Sequence, residues 1–264
     1  MKKPWQSGTD EETRFPLPFR IYGGTGKGRV RPLVLYFSGN AFGAAPPRLN
    51  DAPAALAMAE AGALVVEADC GGPSCNMFPG ALEKAFDALQ HLLAKRKRFA
   101  NFRSPVLVAG DEAGGNVAAS LALKARDAMP GELAGQVLLS PMLDPRMVTV
   151  SFRSADDIGL QQRWADGWQH YLAKASDGQH PYAAPCLCTR LMGTAPALVM
   201  TSDDDPLRDE SLDYAERLRL AGVSVKSKIL PAHLGWTGLY DGRDGAWRAQ
   251  VSTEFSQFLA ELPY

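Results

Sequence analysis

The chain has 264 residues, of which 46 % are hydrophobic, and its 28 Lys and Arg against 29 Asp and Glu give a formal net charge of −1. This balance argues against a nucleic-acid partner, because domains that bind nucleic acids usually present a strongly basic face. The length suits a single α/β domain with a large buried core.

The sequence contains no stretch of about 18 apolar residues, the length needed to span a membrane. Its polar N-terminus, residues 1–15, lacks the apolar core of an export signal. We therefore expect a cytoplasmic protein without a membrane partner. The cysteines at 70, 75, 186 and 188 are spaced C-x4-C and C-x-C, and only the first fits the C-x2-4-C spacing of zinc sites, at its upper limit. In the absence of an export signal we therefore expect reduced thiols, no metal and no cofactor.

Short apolar runs alternate with amphipathic stretches along the chain. Residues 17–22 predict an antiparallel edge strand, followed by a hairpin turn in the glycine-rich segment 23–28, which lacks the spacing of a phosphate-binding loop. Continuous runs of Val, Leu and Ala are typical of strands that are buried on both faces. Such runs lie at 33–37, 63–68, 106–109, 137–139, 197–201 and 223–230.

Helical periodicity lies between these runs and predicts helices over 82–93, 115–128, 208–221 and 244–262. Strand–helix alternation predicts a mostly parallel, doubly wound sheet flanked by helices, in a single domain over 1–264. Residues 146–190 interrupt the alternation with a Trp-rich helix. An insertion at this point of an open α/β sheet lies over the ligand crevice, so the segment is interpreted as a partial lid, with ordinary surface packing as the alternative.

Three polar residues follow predicted strands in a recognisable order. Glu112 stands in Gly110-Asp111-Glu112-Ala113-Gly114, between a strand and a helix, where a nucleophile elbow has the pattern G-x-S-x-G. Asp205 follows the predicted strand 197–201, and His233 follows the predicted strand 223–230. The order nucleophile, acid, histidine is the one that α/β-hydrolases use.

Three further segments resemble motifs of one branch of the α/β-hydrolases: 78–83, 205–210 and 214–218. From about Pro18 to its C-terminus the chain resembles the hormone-sensitive-lipase-like branch of the esterase/lipase α/β-hydrolases. The resemblance implies an α/β-hydrolase fold, a carboxylic-ester hydrolase with a Ser-His-Asp triad, and an N-terminal helical cap. Because the chain begins almost at its first strand, we expect the cap to be reduced.

Two motifs depart from that family. Its His-Gly-Gly-Gly oxyanion motif aligns with Ser38-Gly39-Asn40-Ala41, and its nucleophilic serine aligns with Glu112. The resemblance implies Gly39, Asn40 and Ala113 as oxyanion-hole residues. Because two interacting motifs both depart from the family, natural divergence is favoured over a single engineered change at position 112.

The pocket of this site can be outlined from neighbouring positions. Ser38, Phe42 and Trp236 are predicted to line it, and its occupant is expected to be a small, largely apolar molecule. Nothing in the sequence decides the oligomeric state, although the last strand and the final helix could pair in a homodimer.

Three interpretations of Glu112 remain. It could attack sp3 carbon, as the elbow aspartate of epoxide hydrolases and haloalkane dehalogenases does, although its extra methylene displaces the attack point. It could form an acid–base pair with His233, stabilised by Asp205, for hydrolase or lyase-like chemistry on a carbonyl or ester-type molecule, with Ser38 as a substitute nucleophile.

In the third interpretation catalysis is lost. Glu112 then fills the oxyanion hole, accepts hydrogen bonds from the N–H groups of Asn40 and Ala113, and the protein binds a ligand or a partner, as plant gibberellin receptors of this family do. The presence of both Asp205 and His233 favours the acid–base enzyme, with the inactive pseudo-esterase as the alternative.

Overall fold

The computed structural model describes residues 15–24, 28–45, 51–70, 77–155 and 158–263. Most of the predicted polar N-terminus, the centre of the glycine-rich segment and Cys75 lie outside the described residues. No helix within these ranges combines the length and the apolar character needed to cross a membrane.

In the described part of the chain the strands form one seven-stranded sheet in the order β1-β3-β2-β4-β5-β6-β7. All neighbours pair in parallel except β1, which is antiparallel to β3 at the edge. The predicted strands and the mostly parallel sheet are confirmed. The strands are β1 (Phe19–Tyr22), β2 (Leu33–Phe37), β3 (Leu64–Ala68), β4 (Val106–Asp111), β5 (Gly135–Pro141), β6 (Ala197–Ser202) and β7 (Val225–Leu230).

Eight α-helices occur within the same residues: α1 (Pro53–Glu60), α2 (Gly80–Ala94), α3 (Arg96–Phe99), α4 (Glu112–Ala128), α5 (Val150–Arg153), α6 (Ile158–Tyr171), α7 (Arg208–Leu220) and α8 (Trp247–Glu261). Short 3-10 turns lie at Ala41–Gly43, Ala175–Gln179, Pro185–Leu187, Ala232–Leu234 and Trp236–Asp241. The four predicted helices are confirmed, as is the Trp-rich helix, which is α6. Helix α1 was not predicted, because its run of alanines shows little contrast between a polar and an apolar face.

The hairpin predicted at residues 23–28 is wrong. β1 pairs with β3, with Phe19 opposite Ala68, and both sides of β2 are occupied by β3 and β4. The chain therefore leaves the edge strand and re-enters the sheet two positions away.

The two faces of the sheet carry separate cores, as period-2 alternation along a strand dictates. In β2, Leu33, Leu35 and Phe37 face the core that includes residues of α2, α4 and α7. Val34 and Tyr36 face the opposite core, which includes residues of α1 and α8. Because β2, β4 and β6 run parallel in the sheet, their carboxyl ends lie at one rim, where Ser38, Glu112 and Asp205 follow them.

Candidate active site

Glu112 lies at a sharp turn between β4 and α4. Its φ of 52° is in the left-handed region, which an L-residue adopts only where the surroundings fix it. The close approach of the turn to β2 requires glycine at position 114, because a Cβ there would lie 2.0 Å from the carbonyl oxygen of Phe37. This is the geometry of a nucleophile elbow, with a fully buried glutamate at its tip.

Both carboxylate oxygens of Glu112 accept hydrogen bonds. The indole N–H of Trp164 donates to Oε1 at 2.5 Å, and the backbone N–H of Ala41 donates to Oε2 at 2.8 Å. The guanidinium of Arg163 forms an ion pair with Oε1 at 3.5 Å. The buried carboxyl group of Glu112 therefore has a hydrogen-bond donor on each oxygen and a cation near Oε1, which offset the cost of burying it.

The turn after β2 supplies the backbone donor. A Cβ on Gly39 would lie 2.6 Å from both Cβ and Oε2 of Glu112, so only glycine allows this approach. The N–H of Gly39 donates to Asp111 Oδ1 at 3.1 Å rather than to Glu112. Of the predicted oxyanion residues, Gly39 thus packs against the glutamate, but the backbone N–H that donates to its carboxylate belongs to Ala41, one residue beyond Asn40.

Helix α6 closes over this turn. Gly167 packs so closely that a Cβ there would lie 2.4 Å from the carbonyl oxygen of Ala41. The ring of Phe42 stacks on Tyr171 at 4.1 Å between centroids and lies 4.9 Å from Trp168. Helix α6 therefore presents hydrogen-bond donors to Glu112 and aromatic rings to Phe42, which follows the turn formed by residues 38–41 (the oxyanion turn).

Asp205 is buried and accepts hydrogen bonds from several donors, but among the described residues His233 is not one of them. Hydroxyl groups of Ser140, Thr201 and Tyr240 donate to its carboxylate, the Tyr240 bond being 2.5 Å. The indole N–H of Trp236 and the backbone N–H of Leu207 also donate, each at 2.8 Å. Burial raises the pKa of Asp205, and the hydrogen bonds from Ser140 and Tyr240 oppose that increase.

His233 is exposed on the short turn Ala232–Leu234. Among the described residues no hydrogen bond or ion pair joins it to Asp205 or Glu112, so the predicted Glu112–His233–Asp205 chain is not assembled. His233 does not reach Asp205 because Trp236, three residues later, takes its place. Trp236 is fully buried and donates to both Asp205 and Ser140, which leaves the histidine outside.

A cavity of about 80 Å³ lies between the turn after β2, the end of β3 and the first turns of α4. Ser38, Phe42, Asn40 and Ala113 line this cavity, whereas Trp236, also predicted to line the pocket, belongs to the core. Asn40 does not point its side chain freely into this space, since its Oδ1 accepts from the N–H of Gly43 at 3.1 Å.

Buried Glu67 on β3 also lines the cavity. It accepts from the hydroxyl of Ser38 and, at 2.5 Å, from that of Tyr22. Sequence reasoning missed Glu67. The available signal was a lone carboxylate inside the apolar run 63–68.

Comparisons with known proteins identify the fold family of this chain. A family model described as alpha/beta hydrolase fold matches residues 34–234. The chain belongs to the alpha/beta hydrolase fold family. The predicted fold is thereby confirmed, and similarity to carboxylic ester hydrolases supports the predicted esterase/lipase lineage.

Individual members of this family show how close the similarity is. The carboxylic ester hydrolase LipN of Mycobacterium tuberculosis is 33 % identical over 81 % of this chain and 59 % of LipN. The gibberellin receptor GID1A of Arabidopsis thaliana is 28 % identical over 75 % of this chain and 60 % of the receptor. The crystal structure of a thermostable esterase from Pseudomonas putida ECU1011 matches with a TM-score of 0.77 and 26 % identity, over 94 % of this chain and 80 % of the esterase. The chain thus spans well under two thirds of the length of LipN and of the receptor.

Burial of Glu210, five residues after Asp205, predicts that the stability of the fold depends on pH. Glu210 is buried and accepts from the N–H of Asp144 at 2.9 Å, and burial raises its pKa well above the usual value. The folded chain then holds this proton more tightly than the unfolded chain. Stability must therefore fall as pH rises above about 4.3, the pKa of an unperturbed glutamate.

We expect the free energy of unfolding to decrease from pH 5 towards neutrality, by up to about 1.4 kcal/mol per pH unit for this one proton. Glu210→Gln should flatten the slope, whereas the exposed Glu216→Gln should leave it unchanged. Urea denaturation at several pH values measures this. Equal slopes for wild type and Glu210→Gln would show that Glu210 does not titrate differently on folding.

Proposed function

We propose that this chain is a catalytically silent member of the esterase lineage, in which Glu112 replaces the serine nucleophile and the site binds a small ligand. The observation that carries the proposal is the occupation of both Glu112 oxygens by Trp164 and Ala41. A serine hydrolase keeps its backbone donors available for the tetrahedral anion. Here the elbow side chain itself occupies such a donor.

The acid and the histidine support the same conclusion. A general base must lie within hydrogen-bond reach of the proton that it removes, and His233 is exposed and makes no such contact with Glu112. Asp205 is already bound by Trp236 and Tyr240. This arrangement favours binding over the acid–base chemistry that the sequence favoured, and a relative named as a receptor supports a binding role within the family.

In this proposal the segment 146–190 acts as a partial lid that Glu112 holds in place. Trp164 and Arg163 connect α6 to the elbow, and Arg163 also pairs with Asp241 at 3.5 Å, beyond β7. Glu112 therefore connects the elbow, the oxyanion turn and the lid. This role explains a buried carboxylate at the elbow without any chemistry.

The cavity beside the turn sets the ligand class. Phe42 and Val117 supply apolar walls, and the Ser38 hydroxyl with Glu67 supplies a polar end. We propose a small, largely apolar molecule with one hydrogen-bonding group.

One contact favours a second candidate function, an enzyme that uses Ser38. The Ser38 hydroxyl donates to the buried carboxylate of Glu67, which could accept its proton during attack on a carbonyl carbon. No histidine takes part in this alternative. It differs from the acid–base hypothesis because the base is Glu67 rather than Glu112.

Turnover of p-nitrophenyl acetate, an epoxide and a lactone distinguishes these candidates. We expect the purified protein to show no turnover above that of His233→Ala. Ser38-dependent turnover, lost in Ser38→Ala and retained in His233→Ala, would establish the second candidate. Turnover that both Glu112→Gln and His233→Ala abolish, in folded variants, would overturn the silent-site proposal in favour of acid–base catalysis.

A further inference from the structure

A surface with exposed cations and two exposed apolar side chains lies at the other end of the sheet from Glu112. We define the basic–apolar patch by Arg29, Val30, Lys97, Phe102 and Arg103. Val30 is 59 % exposed and Phe102 is 56 % exposed, so this surface presents two large apolar side chains to solvent among cations. The patch precedes the amino ends of β2 and β4, whereas the candidate active site follows their carboxyl ends.

Two segments that are distant in sequence form this surface. The N–H of Gly28 donates to the carbonyl of Ala100 at 2.9 Å, and the side chain of Asn101 donates back to the carbonyl of Gly28 at 2.9 Å. Further along, the N–H of Arg31 donates to Ser104 Oγ at 3.3 Å. The segments 28–31 and 100–104 therefore run side by side, so that residues 29–30 and 102–103 both lie between the contact of Gly28 with Ala100 and that of Arg31 with Ser104.

The charge of this region differs from that of the whole chain. Segment 28–31 contains two arginines, segment 95–104 contains five Lys and Arg, and neither contains Asp or Glu, although the chain carries a net charge of −1. Arg31 donates to the carbonyls of Gly23 and Gly24, and Arg96 pairs with Glu132. The inference rests on the exposed Arg29, Lys97 and Arg103.

Cations flank the exposed phenylalanine. Lys97 Nζ lies 5.6 Å from the centroid of the Phe102 ring, and Arg103 Cζ lies 5.3 Å from it. A base of a single-stranded nucleic acid stacks on an open ring face, which these cations restrict. A phospholipid surface suits the arrangement better, because the ring and Val30 can enter the headgroup region while the long cationic side chains reach lipid phosphates.

We propose that the basic–apolar patch docks this protein on an anionic phospholipid bilayer. The expectation of no membrane partner was drawn from the lack of a spanning or export segment, which does not bear on contact at a surface. Docking through this end of the sheet leaves the candidate active site facing away from the bilayer. The inference is therefore independent of whether that site is silent or catalytic.

Co-sedimentation with vesicles tests the proposal on the full chain. We expect binding to phosphatidylcholine vesicles that contain phosphatidylglycerol, little binding to pure phosphatidylcholine, and weaker binding as salt is raised. Because each cation near such a surface contributes about a fivefold factor in affinity, the double variant Lys97→Glu/Arg103→Glu should bind at least about tenfold more weakly. Phe102→Ala should also weaken binding, at low and at high salt.

Matched controls lie elsewhere on the surface. Lys174→Glu changes another exposed cation, and Met192→Ala removes another apolar side chain, 79 % exposed, so neither should alter vesicle binding. The proposal is overturned by equal binding to neutral and anionic vesicles, by the absence of vesicle binding, or by equal losses in the control variants. It is also overturned if glycerophosphoglycerol or a single-stranded oligonucleotide displaces the vesicles at low concentration, since the patch would then recognise a free phosphate or a nucleic acid.

Discussion

Asp205→Ala is expected to lower the free energy of unfolding by about 3–5 kcal/mol, the largest effect of any substitution near the site. Alanine would leave the buried indole N–H of Trp236 and the buried hydroxyl of Tyr240 without their acceptor. It would remove the acceptor of the Leu207 N–H at the start of α7 as well. Guanidinium denaturation monitored by tryptophan fluorescence measures the change.

Asp203→Ala is the matched control, because Asp203 is exposed two residues earlier and its loss should change stability by no more than about 0.5 kcal/mol. A loss of less than about 1 kcal/mol in Asp205→Ala would show that these donors find other partners. Asp205 would then have no structural role to explain its burial, and a functional role through His233 would regain support.

Glu112→Gln is expected to destabilise the fold by about 2–3 kcal/mol, although it changes one atom. The two oxygens of Glu112 each accept from a different donor, Trp164 on one side and Ala41 on the other. An amide has one oxygen, so its NH₂ group must face one of these N–H donors, and the ion pair with Arg163 is lost as well. At roughly 2–4 °C per kcal/mol for a chain of this size, the Tm should fall by about 5–10 °C.

Glu216→Gln provides the control for this substitution, because Glu216 is 59 % exposed and its ion pair with Arg219 is at the surface. Scanning calorimetry of the two variants and the wild type gives the comparison. A Tm of Glu112→Gln equal to that of the wild type would mean that the glutamate is not a structural connection, and a catalytic role would become the better explanation.

Much of the fold could be predicted from the sequence, because buried parallel strands are continuous apolar runs. The run 33–37 predicted β2 to the residue, and the elbow followed from Gly110 and Gly114 flanking Glu112. The edge strand β1 was also predicted, but its pairing with β3 was not, because the predicted hairpin placed it beside the next strand. Pairing depends on which edge of the sheet is open, and local sequence carries no signal for this.

The side-chain partners of the site residues could not be predicted in the same way. Trp164 reaches Glu112 from an insertion 52 residues away, and Tyr240 reaches Asp205 from 35 residues away. The position of His233 after a strand suggested a catalytic location. Burial of Trp236 on the same loop decides instead that an indole, rather than an imidazole, contacts the acid.

Hydrolysis of p-nitrophenyl acetate by Glu112→Ser, measured beside the wild type and the double variant Glu112→Ser/His233→Ala, tests most directly whether the ancestral site has been dismantled. Because His233 lies outside and Trp236 and Tyr240 occupy Asp205, we expect none of the three to turn over the ester above the uncatalysed rate. Rapid hydrolysis by Glu112→Ser that disappears in the double variant would contradict this, since the histidine would then reach the elbow in solution.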